Sequence, residues 1–310
     1  MESSDSQEHV SVSSPSKRPR PRLEGQEAEN LVITHEPEGE VLFHIRSIQA
    51  SAFRHLFDIL GNFLVDTNMV LNSDGIEIRT MDSAMVAMVH VNIMGSSLEH
   101  FIVKKPTVVG VNLAQLNCMF RSITNKDHIS MYILEDHPEV LHVCVENTTK
   151  VLHYKYTLLD IEEEVVSLPN MLYDFKIQIS SNELHRHLRD VGAIGDEVTV
   201  TVAKEHGPNI RMETKGDFAS VSLVLNHIQD RSTDDFSTFG TDPSAINELE
   251  DGKCICVTYP LKYLTTFSRA CILGGSAIVL VKRDFPIILQ YQFCDMGRLT
   301  FIVSPKIIDE

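Results

Sequence analysis

Residues 53–64 read Phe-Arg-His-Leu-Phe-Asp-Ile-Leu-Gly-Asn-Phe-Leu, and residues 184–191 read Leu-His-Arg-His-Leu-Arg-Asp-Val. In both stretches the apolar residues recur at the spacing of one helix face. In the first stretch they are Phe53, Leu56, Phe57, Leu60 and Leu64, and in the second they are Leu184, Leu188 and Val191. Each stretch therefore predicts an amphipathic helix with one apolar stripe and a polar opposite face.

Two further stretches, residues 113–123 and 261–271, predict a second pair of helices. Their apolar positions are Leu113, Leu116, Phe120 and Ile123, and, less regularly, Leu261, Leu264, Ser268 and Cys271. The first and third helices start 131 residues apart, and the second and fourth start 148 residues apart. The extra 17 residues fit an insertion in the acidic stretch 226–252. The chain is therefore predicted to be a duplication of one supersecondary unit.

Between these helices, apolar and polar residues alternate as they do in strands. The predicted strands are residues 41–48, 85–93, 128–134, 140–146, 151–158, 175–180, 197–203, 210–214, 219–225, 254–259, 277–281, 287–293 and 299–304. Residues 72–75, Asn-Ser-Asp-Gly, predict a hairpin turn because Asp-Gly favours a tight reversal. Many short strands with hairpin turns favour antiparallel sheet, so the expected fold class is α+β.

The predicted organisation is a tail followed by two similar domains. Residues 1–40 are rich in Ser, Glu and Pro and are expected to be a disordered tail. Its basic cluster at residues 17–22, Lys-Arg-Pro-Arg-Pro-Arg, fits either a nuclear import signal or a solvated run of charge. The domains are residues 41–157 and 175–310, the second with the acidic insertion 226–252, and residues 158–174 connect them.

The chain has 310 residues, of which 43 are acidic and 27 are basic, and its net charge is −16. Three stretches account for the whole excess of acidic residues. They are residues 1–40, 158–174 and 226–252, with net charges of −5, −5 and −6. The remainder is neutral overall, which leaves its bases free to gather on one face. The N-terminus has no apolar signal-peptide core, so we expect the six cysteines to be reduced core thiols of an intracellular protein.

The polar faces of the four predicted helices share a basic bias, with Asp58 and Asp190 as their only acids. A single surface arginine is ordinary, but four such helices in an acidic protein favour a common positive surface. Such a surface neutralises phosphates without reading bases. The candidate DNA-binding residues are Arg54, His55, Arg121, Arg186, Arg189, Lys262 and Arg269.

The sequence contains no Gly-x-x-x-x-Gly-Lys-Ser/Thr, Gly-x-Gly-x-x-Gly or His-Glu-x-x-His motif. His185 and His187 would point apart on a helix, which disfavours a metal pair. Cys254 and Cys256 share one face of a strand, but without a second cysteine pair they favour buried packing over a zinc site. The sequence therefore supports neither an enzyme nor a bound cofactor or metal.

Several short motifs follow one another from about residue 41 to the C-terminus. They are TMDSAMV (80–86), GVNL (110–113), HYKYTLLD (153–160), IGD (194–196), LKYL (261–264), DMGRL (295–299) and SPKI (304–307). Together they resemble the proliferating cell nuclear antigen family, the eukaryotic-type DNA sliding clamps. The resemblance implies a DNA clamp fold: two similar domains, each with two helices packed on antiparallel sheets, joined by an interdomain connecting loop. The tail and the acidic insertion have no counterpart in it.

The resemblance further implies a homotrimeric ring around duplex DNA, with helices lining the channel and sheets forming the outer wall. The channel bases of the family match Arg54, Arg121, Arg186, Arg189 and Arg269, with Lys262 beside them. Three positions where the family usually has lysine carry other residues, namely His55, Gly61 and Cys118. The channel is therefore expected to be less basic than is usual.

The family also binds partner peptides with the pattern Gln-x-x-aliphatic-x-x-aromatic-aromatic beneath the connecting loop. The matching positions are Met81, Val86, Met88, Val166, Leu168, Pro169, Tyr173, Pro286, Ile302 and Pro305. Ile302 replaces a usual tyrosine, and Pro260 and Ser304 replace small residues, so the peptide preference is expected to differ. The resemblance also implies that residues 151–158 pair edge to edge with residues 217–225 of the next copy.

The function implied is that of a DNA polymerase processivity factor, a sliding clamp that tethers polymerase and other replication and repair proteins. A separate ATP-driven clamp loader would open it, in the nucleus or at a viral replication site. Two alternatives of the same class are a subunit of a checkpoint-type heterotrimeric clamp and a monomeric viral processivity factor. An alternative of another class is an acidic peptide-binding scaffold with no DNA role.

Overall fold

The computed structural model describes residues 37–162, 173–203, 209–225 and 254–306. The acidic insertion 226–252, the basic cluster 17–22 and the middle of the connector lie outside these ranges. Three predicted peptide-binding residues lie outside them as well, namely Val166, Leu168 and Pro169.

The four predicted helices all form. They are α1 (Ala50–Leu60), α2 (Leu113–Phe120), α3 (Ser181–Gly192) and α4 (Leu261–Ser268). The side chain of Asn112 caps α2 by accepting a hydrogen bond from the backbone N–H of Gln115. A 3-10 helix, Arg269–Ile272, continues α4 and replaces the last turn predicted there. None of the helices in the described ranges has the length and apolar composition needed to cross a membrane.

The described strands of the first half run from residue 41 to residue 157, with a 3-10 helix, Gly95–Ser97, among them. They are β1 (Val41–Ser47), β2 (Asp66–Leu71), β3 (Gly75–Met81), β4 (Ala87–Met94), β5 (His100–Val103), β6 (Thr107–Asn112), β7 (His128–Leu134), β8 (His137–Glu146) and β9 (Val151–Thr157). The described strands of the second half are β10 (Phe175–Ser180), β11 (Glu197–Ala203), β12 (Asn209–Lys215), β13 (Ser220–Leu225), β14 (Cys254–Pro260), β15 (Ser276–Val281), β16 (Ile287–Phe293) and β17 (Gly297–Val303).

The hairpin turn between β2 and β3 is confirmed. The side chain of Asn72 accepts hydrogen bonds from the backbone N–H groups of Asp74 and Gly75. A Cβ on Gly75 would lie 1.9 Å from the carbonyl oxygen of Ile93, so this close approach of two backbones requires glycine. Several predicted strand boundaries shift. The strand expected from residue 85 begins at Ala87, because Met85 occupies a turn with φ of +56°. The strands expected from residues 140 and 299 begin earlier, at His137 and Gly297.

The strands form three sheets, and all their pairings are antiparallel. One sheet has the order β5-β1-β7-β8-β9, and another has the order β13-β12-β11-β14. The third crosses both halves of the chain in the order β10-β15-β16-β17-β4-β3-β2-β6. The predicted α+β class is confirmed.

The sheet order shows the duplication in detail. The run β1-β7-β8-β9 of the first half corresponds to β10-β15-β16-β17 of the second, and β6-β2-β3-β4 corresponds to β14-β11-β12-β13. The two halves join where β17 pairs with β4, with Gly297 opposite Ile93 and Val303 opposite Ala87. By this correspondence, β9 is the equivalent of β17 and β13 is the equivalent of β4.

The helices pack on the sheets through a core shared by both halves. Phe63, after α1, lies 4.8 Å from Phe267 of α4, and Phe267 stacks on Phe301 of β17 at 4.1 Å between ring centroids. Within the first half, Phe57 of α1 contacts Phe120 of α2 at 5.3 Å. The apolar stripes therefore face one continuous interior, which fixes the polar helix faces on the opposite side.

The prediction of core cysteines is wrong for most of them. All six are free thiols, and only Cys144 is buried. Cys254 and Cys256 lie on one face of β14 as predicted, but both are exposed, whereas Ile255 and Val257 point into the core. The expected buried packing of this pair is therefore wrong.

Candidate functional site

The helices form one layer across the two halves. The helix α2 packs on α1, α1 on the 3-10 helix Arg269–Ile272, and α4 on α3. Arg269 Nη1 donates a hydrogen bond to Asn62 Oδ1 across the boundary between the halves, at 2.9 Å. In the second half, His185 Nδ1 of α3 lies 2.9 Å from Ser268 Oγ of α4. The polar faces of all four helices therefore lie on the side of this layer that faces away from the sheets.

The bases of the first half line a crevice of about 410 Å³ beside α1 and α2. Arg54 and His55 are half-buried there, and Arg121 is exposed. Arg54 Nη1 donates to the carbonyl oxygen of Ile123 at 2.8 Å, which fixes its guanidinium. Burial, followed by the charge of Arg54, lowers the pKa of His55. The neutral form of His55 is therefore favoured by its surroundings.

The bases of the second half, Arg186, Arg189, Lys262 and Arg269, are all exposed. The pKa of His185 is lowered, first by burial and then by the charges of Arg189 and Arg269. His185 also contacts Ser268, the neighbour of Arg269, so the bases of α3 and of the 3-10 helix lie near one imidazole. The only ion pair of this group in the described residues joins Arg189 and Asp190 at 3.5 Å, between two exposed side chains.

The structure thus brings all seven candidate DNA-binding residues onto one helical layer, which we call the basic face. Its members are Arg54, His55, Arg121, Arg186, Arg189, Lys262 and Arg269. The prediction that Asp58 and Asp190 are the only acids there is wrong, because Glu183 is also exposed in the first turn of α3. At Gly61, one of the positions where the family usually has lysine, a Cβ would lie 2.5 Å from Asn117 Nδ2 of α2, so a larger residue there would have to displace that side chain.

The lowered pKa of His185 predicts how stability depends on pH. In the unfolded chain this histidine binds a proton near its ordinary pKa, whereas the folded chain binds it only at lower pH. Stability from this group is therefore present above the ordinary histidine pKa of about 6.5 and is lost as the pH falls below it. Thermal melts above and below this pH should show a smaller loss for His185→Gln than for the wild type.

His187→Gln is the matched control for that measurement, because residue 187 lies on another side of the same helix. It should lose stability with falling pH as the wild type does. Equal pH dependence of His185→Gln and the wild type would contradict the assignment.

A second candidate surface lies on the opposite, outer side of the sheet that crosses both halves. Met88 of β4 is paired with Met81 of β3 on one side and with Ile302 of β17 on the other. Ile302 in turn is paired with Ile288 of β16, and Ile288 with Leu280 of β15. Directly paired residues point to the same face, so these five side chains form one apolar row across five strands.

The remaining predicted peptide-binding residues surround this row. Tyr173 is buried against Ile278 and Leu280, with Ile288 packed beside them. Val86, Pro286 and Pro305 are half-buried, and Val86 accepts a backbone hydrogen bond from Ser304, the neighbour of Pro305, at 2.9 Å. We call Met81, Val86, Met88, Tyr173, Pro286, Ile302 and Pro305 the peptide face.

The structure adds residues that sequence reasoning missed. Ile288 and Leu280 belong to the apolar row, and only the cross-strand register reveals this. Met85, in the turn before β4, is 72% exposed beside Val86. In the sequence, Met85 could have been identified as a candidate by its position within the TMDSAMV motif.

The comparisons with known proteins cover both halves of the chain. Residues 42–166 match the family model described as Proliferating cell nuclear antigen, N-terminal domain. Residues 167–306 match the model described as Proliferating cell nuclear antigen, C-terminal domain. The two matches follow each other in the order that the duplication predicts.

Among solved structures, the chain is similar to the crystal structure of Proliferating Cellular Nuclear Antigen from Entamoeba histolytica. The TM-score is 0.73 and the identity is 21%, over 86% of this chain and 100% of that chain. At this identity the likeness establishes the fold. The predicted DNA clamp fold, with two similar domains of helices packed on antiparallel sheets, is confirmed.

Proposed function

The chain belongs to the proliferating cell nuclear antigen family, and from this premise we propose that it is a sliding clamp. In this proposal three copies form a closed ring around duplex DNA. The ring tethers DNA polymerase and other replication and repair proteins, and it is opened by a separate clamp loader. Sliding requires loose, sequence-independent contact with phosphates, which suits exposed arginine and lysine side chains.

The observation that carries the proposal is the pairing of β17 with β4 inside the chain. Their equivalents, β9 and β13, each pair with only one neighbouring strand among the described residues. If β9 of one copy pairs with β13 of the next, the junction inside the chain is repeated between chains. A head-to-tail contact of this kind generates a ring when its rotation closes, and closure covers both sheet edges.

The side chains at both edges support this pairing. Leu152 and Tyr154 of β9, and Val221 and Leu223 of β13, are only partly buried against the core. Phe218, just before β13, is 79% exposed, and Leu159, just after β9, is 39% exposed. Exposed apolar groups of this size beside an unpaired strand edge are typical of an interface.

Native mass tests the assembly. Sedimentation equilibrium at micromolar concentration should give three times the chain mass of 34.9 kDa. A monomer would favour a monomeric viral processivity factor, and a chain that assembles only with two different partners would favour a subunit of a checkpoint-type heterotrimeric clamp.

The peptide face is proposed to bind segments with the pattern Gln-x-x-aliphatic-x-x-aromatic-aromatic. An apolar row flanked by partly exposed residues suits an aromatic anchor, and its methionines adapt to several partners. Nuclear localisation through the basic cluster 17–22 is part of the same proposal. An acidic peptide-binding scaffold without a DNA role would share the peptide face, but it would leave the basic face unused.

Ile302→Ala tests the peptide face. Because Ile302 lies in the row between Met88 and Ile288, its truncation should weaken binding of such a peptide by about 1–3 kcal/mol in calorimetric titration. Ile102→Ala, at a 43% exposed isoleucine of β5 in another sheet, is the matched control and should bind as the wild type does. Identical isotherms for Ile302→Ala and the control would show that Ile302 does not contribute to peptide binding.

A further inference from the structure

A hydrogen bond from the basic face's own helix reaches the peptide face. Tyr263 follows Lys262 in α4, and its hydroxyl donates to Asp82 Oδ2 at 2.6 Å. Asp82 lies between β3 and β4, in the other half of the chain, and is only 6% exposed. One buried carboxylate of the first half is thus held by a helix of the second half.

Asp82 organises the turn that joins Met81 to Val86. Its Oδ1 accepts the backbone N–H groups of Val86 at 2.8 Å and of Ala87 at 2.7 Å. Its carbonyl oxygen accepts the N–H of Met85, which has a φ of +56°. A methionine adopts this left-handed conformation only where its surroundings enforce it. Asp82 supplies that enforcement, through its backbone carbonyl at Met85 and its side chain at the next two residues.

The effect of the turn extends to the C-terminal segment. The carbonyl oxygen of Val86 accepts the N–H of Ser304 at 2.9 Å. Ser304 stands between β17, which carries Ile302, and Pro305. The turn therefore sets the positions of residues on both sides of the apolar row.

We propose that Tyr263 is a positioning residue for peptide binding: by fixing Asp82, it holds the turn 82–86 and the adjoining segment 304–305 in the shape that the peptide meets. This inference rests on the proposed peptide-binding function. Tyr263 touches no peptide itself, and it ties the peptide face to the helix that carries Lys262.

The ionisation states suit this role. Burial, and then the hydrogen bond to Asp82, raise the pKa of Tyr263 to about 12. Burial acts to raise the pKa of Asp82, but hydrogen bonds from Tyr263, Ala87 and Val86 outweigh it and hold this pKa below its ordinary value. At neutral pH the tyrosine is therefore a neutral donor and the aspartate a charged acceptor, the arrangement of a strong hydrogen bond.

Tyr263→Phe removes the donor and leaves the ring in place. Anisotropy titration of the full-length chain with a fluorescent peptide of sequence pattern Gln-x-x-Leu-x-x-Phe-Phe should show affinity about threefold to tenfold weaker than the wild type. Tyr291→Phe makes the same chemical change at a buried hydroxyl that has no hydrogen-bond partner among the described residues. This control should bind the peptide as the wild type does.

A double-mutant cycle separates positioning through Asp82 from a general loss of structure. Asp82→Asn alone should also weaken peptide binding, and adding Tyr263→Phe to it should cause little further loss of affinity. In methyl spectra of methionine-labelled protein, Tyr263→Phe should move the signals of Met81 and Met85, while Tyr291→Phe should leave them in place. If Asp82→Asn does not fold, these spectra and the single-variant titration decide the question.

The outcomes distinguish this inference from the proposed function. If the wild type binds no such peptide, both the proposed function of the peptide face and this inference are wrong. If the wild type binds and Tyr263→Phe binds equally well, the inference is wrong while the peptide face stands. Fully additive losses in the cycle, or unmoved methionine signals, would likewise overturn it.

Discussion

Replacing Val221 by glutamate should convert the proposed ring into monomers. Val221 is a half-buried residue of β13, on the face of the strand that packs against the core, at the edge proposed to meet β9 of the next copy. Pairing of the two edges would bury the new carboxylate without a partner, which costs several kcal/mol. We expect the dissociation constant between copies to rise by about a thousandfold. Sedimentation velocity at micromolar concentration measures this directly.

Val224→Glu is the matched control for that experiment. Val224 lies on the same strand, but it is 42% exposed on the opposite face. A charge there stays in water, so its effect on the mass should be small. A trimer that withstands Val221→Glu would contradict the proposed edge, and unfolding detected by circular dichroism would point to core damage instead.

Reversing the charge of Arg186 and Arg189 together should reduce processive DNA synthesis by at least about tenfold at physiological salt. Both arginines are exposed on α3, and a trimer would carry three copies of each in its channel. Each phosphate contact that is lost also flattens the salt dependence of DNA binding. Polymerase extension on a primed circular template, with the ring loaded, measures the effect.

The matched control makes an equal change of charge on the outer surface of the protein. Arg211→Glu with Arg283→Glu changes the net charge equally, at two exposed residues that lie away from the helical layer. It should leave synthesis close to the wild-type level, and both double variants should sediment as trimers. Undiminished synthesis by Arg186→Glu with Arg189→Glu would exclude the basic face as the DNA contact.

Much of the fold could be predicted because each helix carries a clear apolar stripe. The fourth stripe, with Ser268 and Cys271, is the weakest, and there the structure changes from α-helix to a 3-10 helix. The strands β2, β3, β5 and β6 were not predicted. β5 is four residues long, polar or glycine positions interrupt β2 and β6, and β3 has only two core-type residues, Ile76 and Ile78, before its polar Arg79 and Thr80. Pairing within the sheet, more than local preference, holds such segments as strands.

The basic face could be predicted residue by residue, since each base lies opposite an apolar stripe. The full apolar row of the peptide face could not, because Ile288 and Leu280 join Met88 only through the register of strands that are far apart in sequence. The exposure of Cys254 and Cys256 could not be predicted either. In the strand sequence Cys-Ile-Cys-Val-Thr-Tyr-Pro both faces are largely apolar, so the pattern alone does not show which face meets the core.

Retention on DNA of different topology is the most direct test of the sliding-clamp proposal. After loading onto a nicked circular plasmid, the protein should remain bound through gel filtration, and cutting the plasmid once should release it. A ring that encloses the duplex escapes only over a free end, whereas a protein held by its contacts leaves circular and linear DNA at the same rate. Equal retention on both forms, or none on the circle, would contradict the proposal.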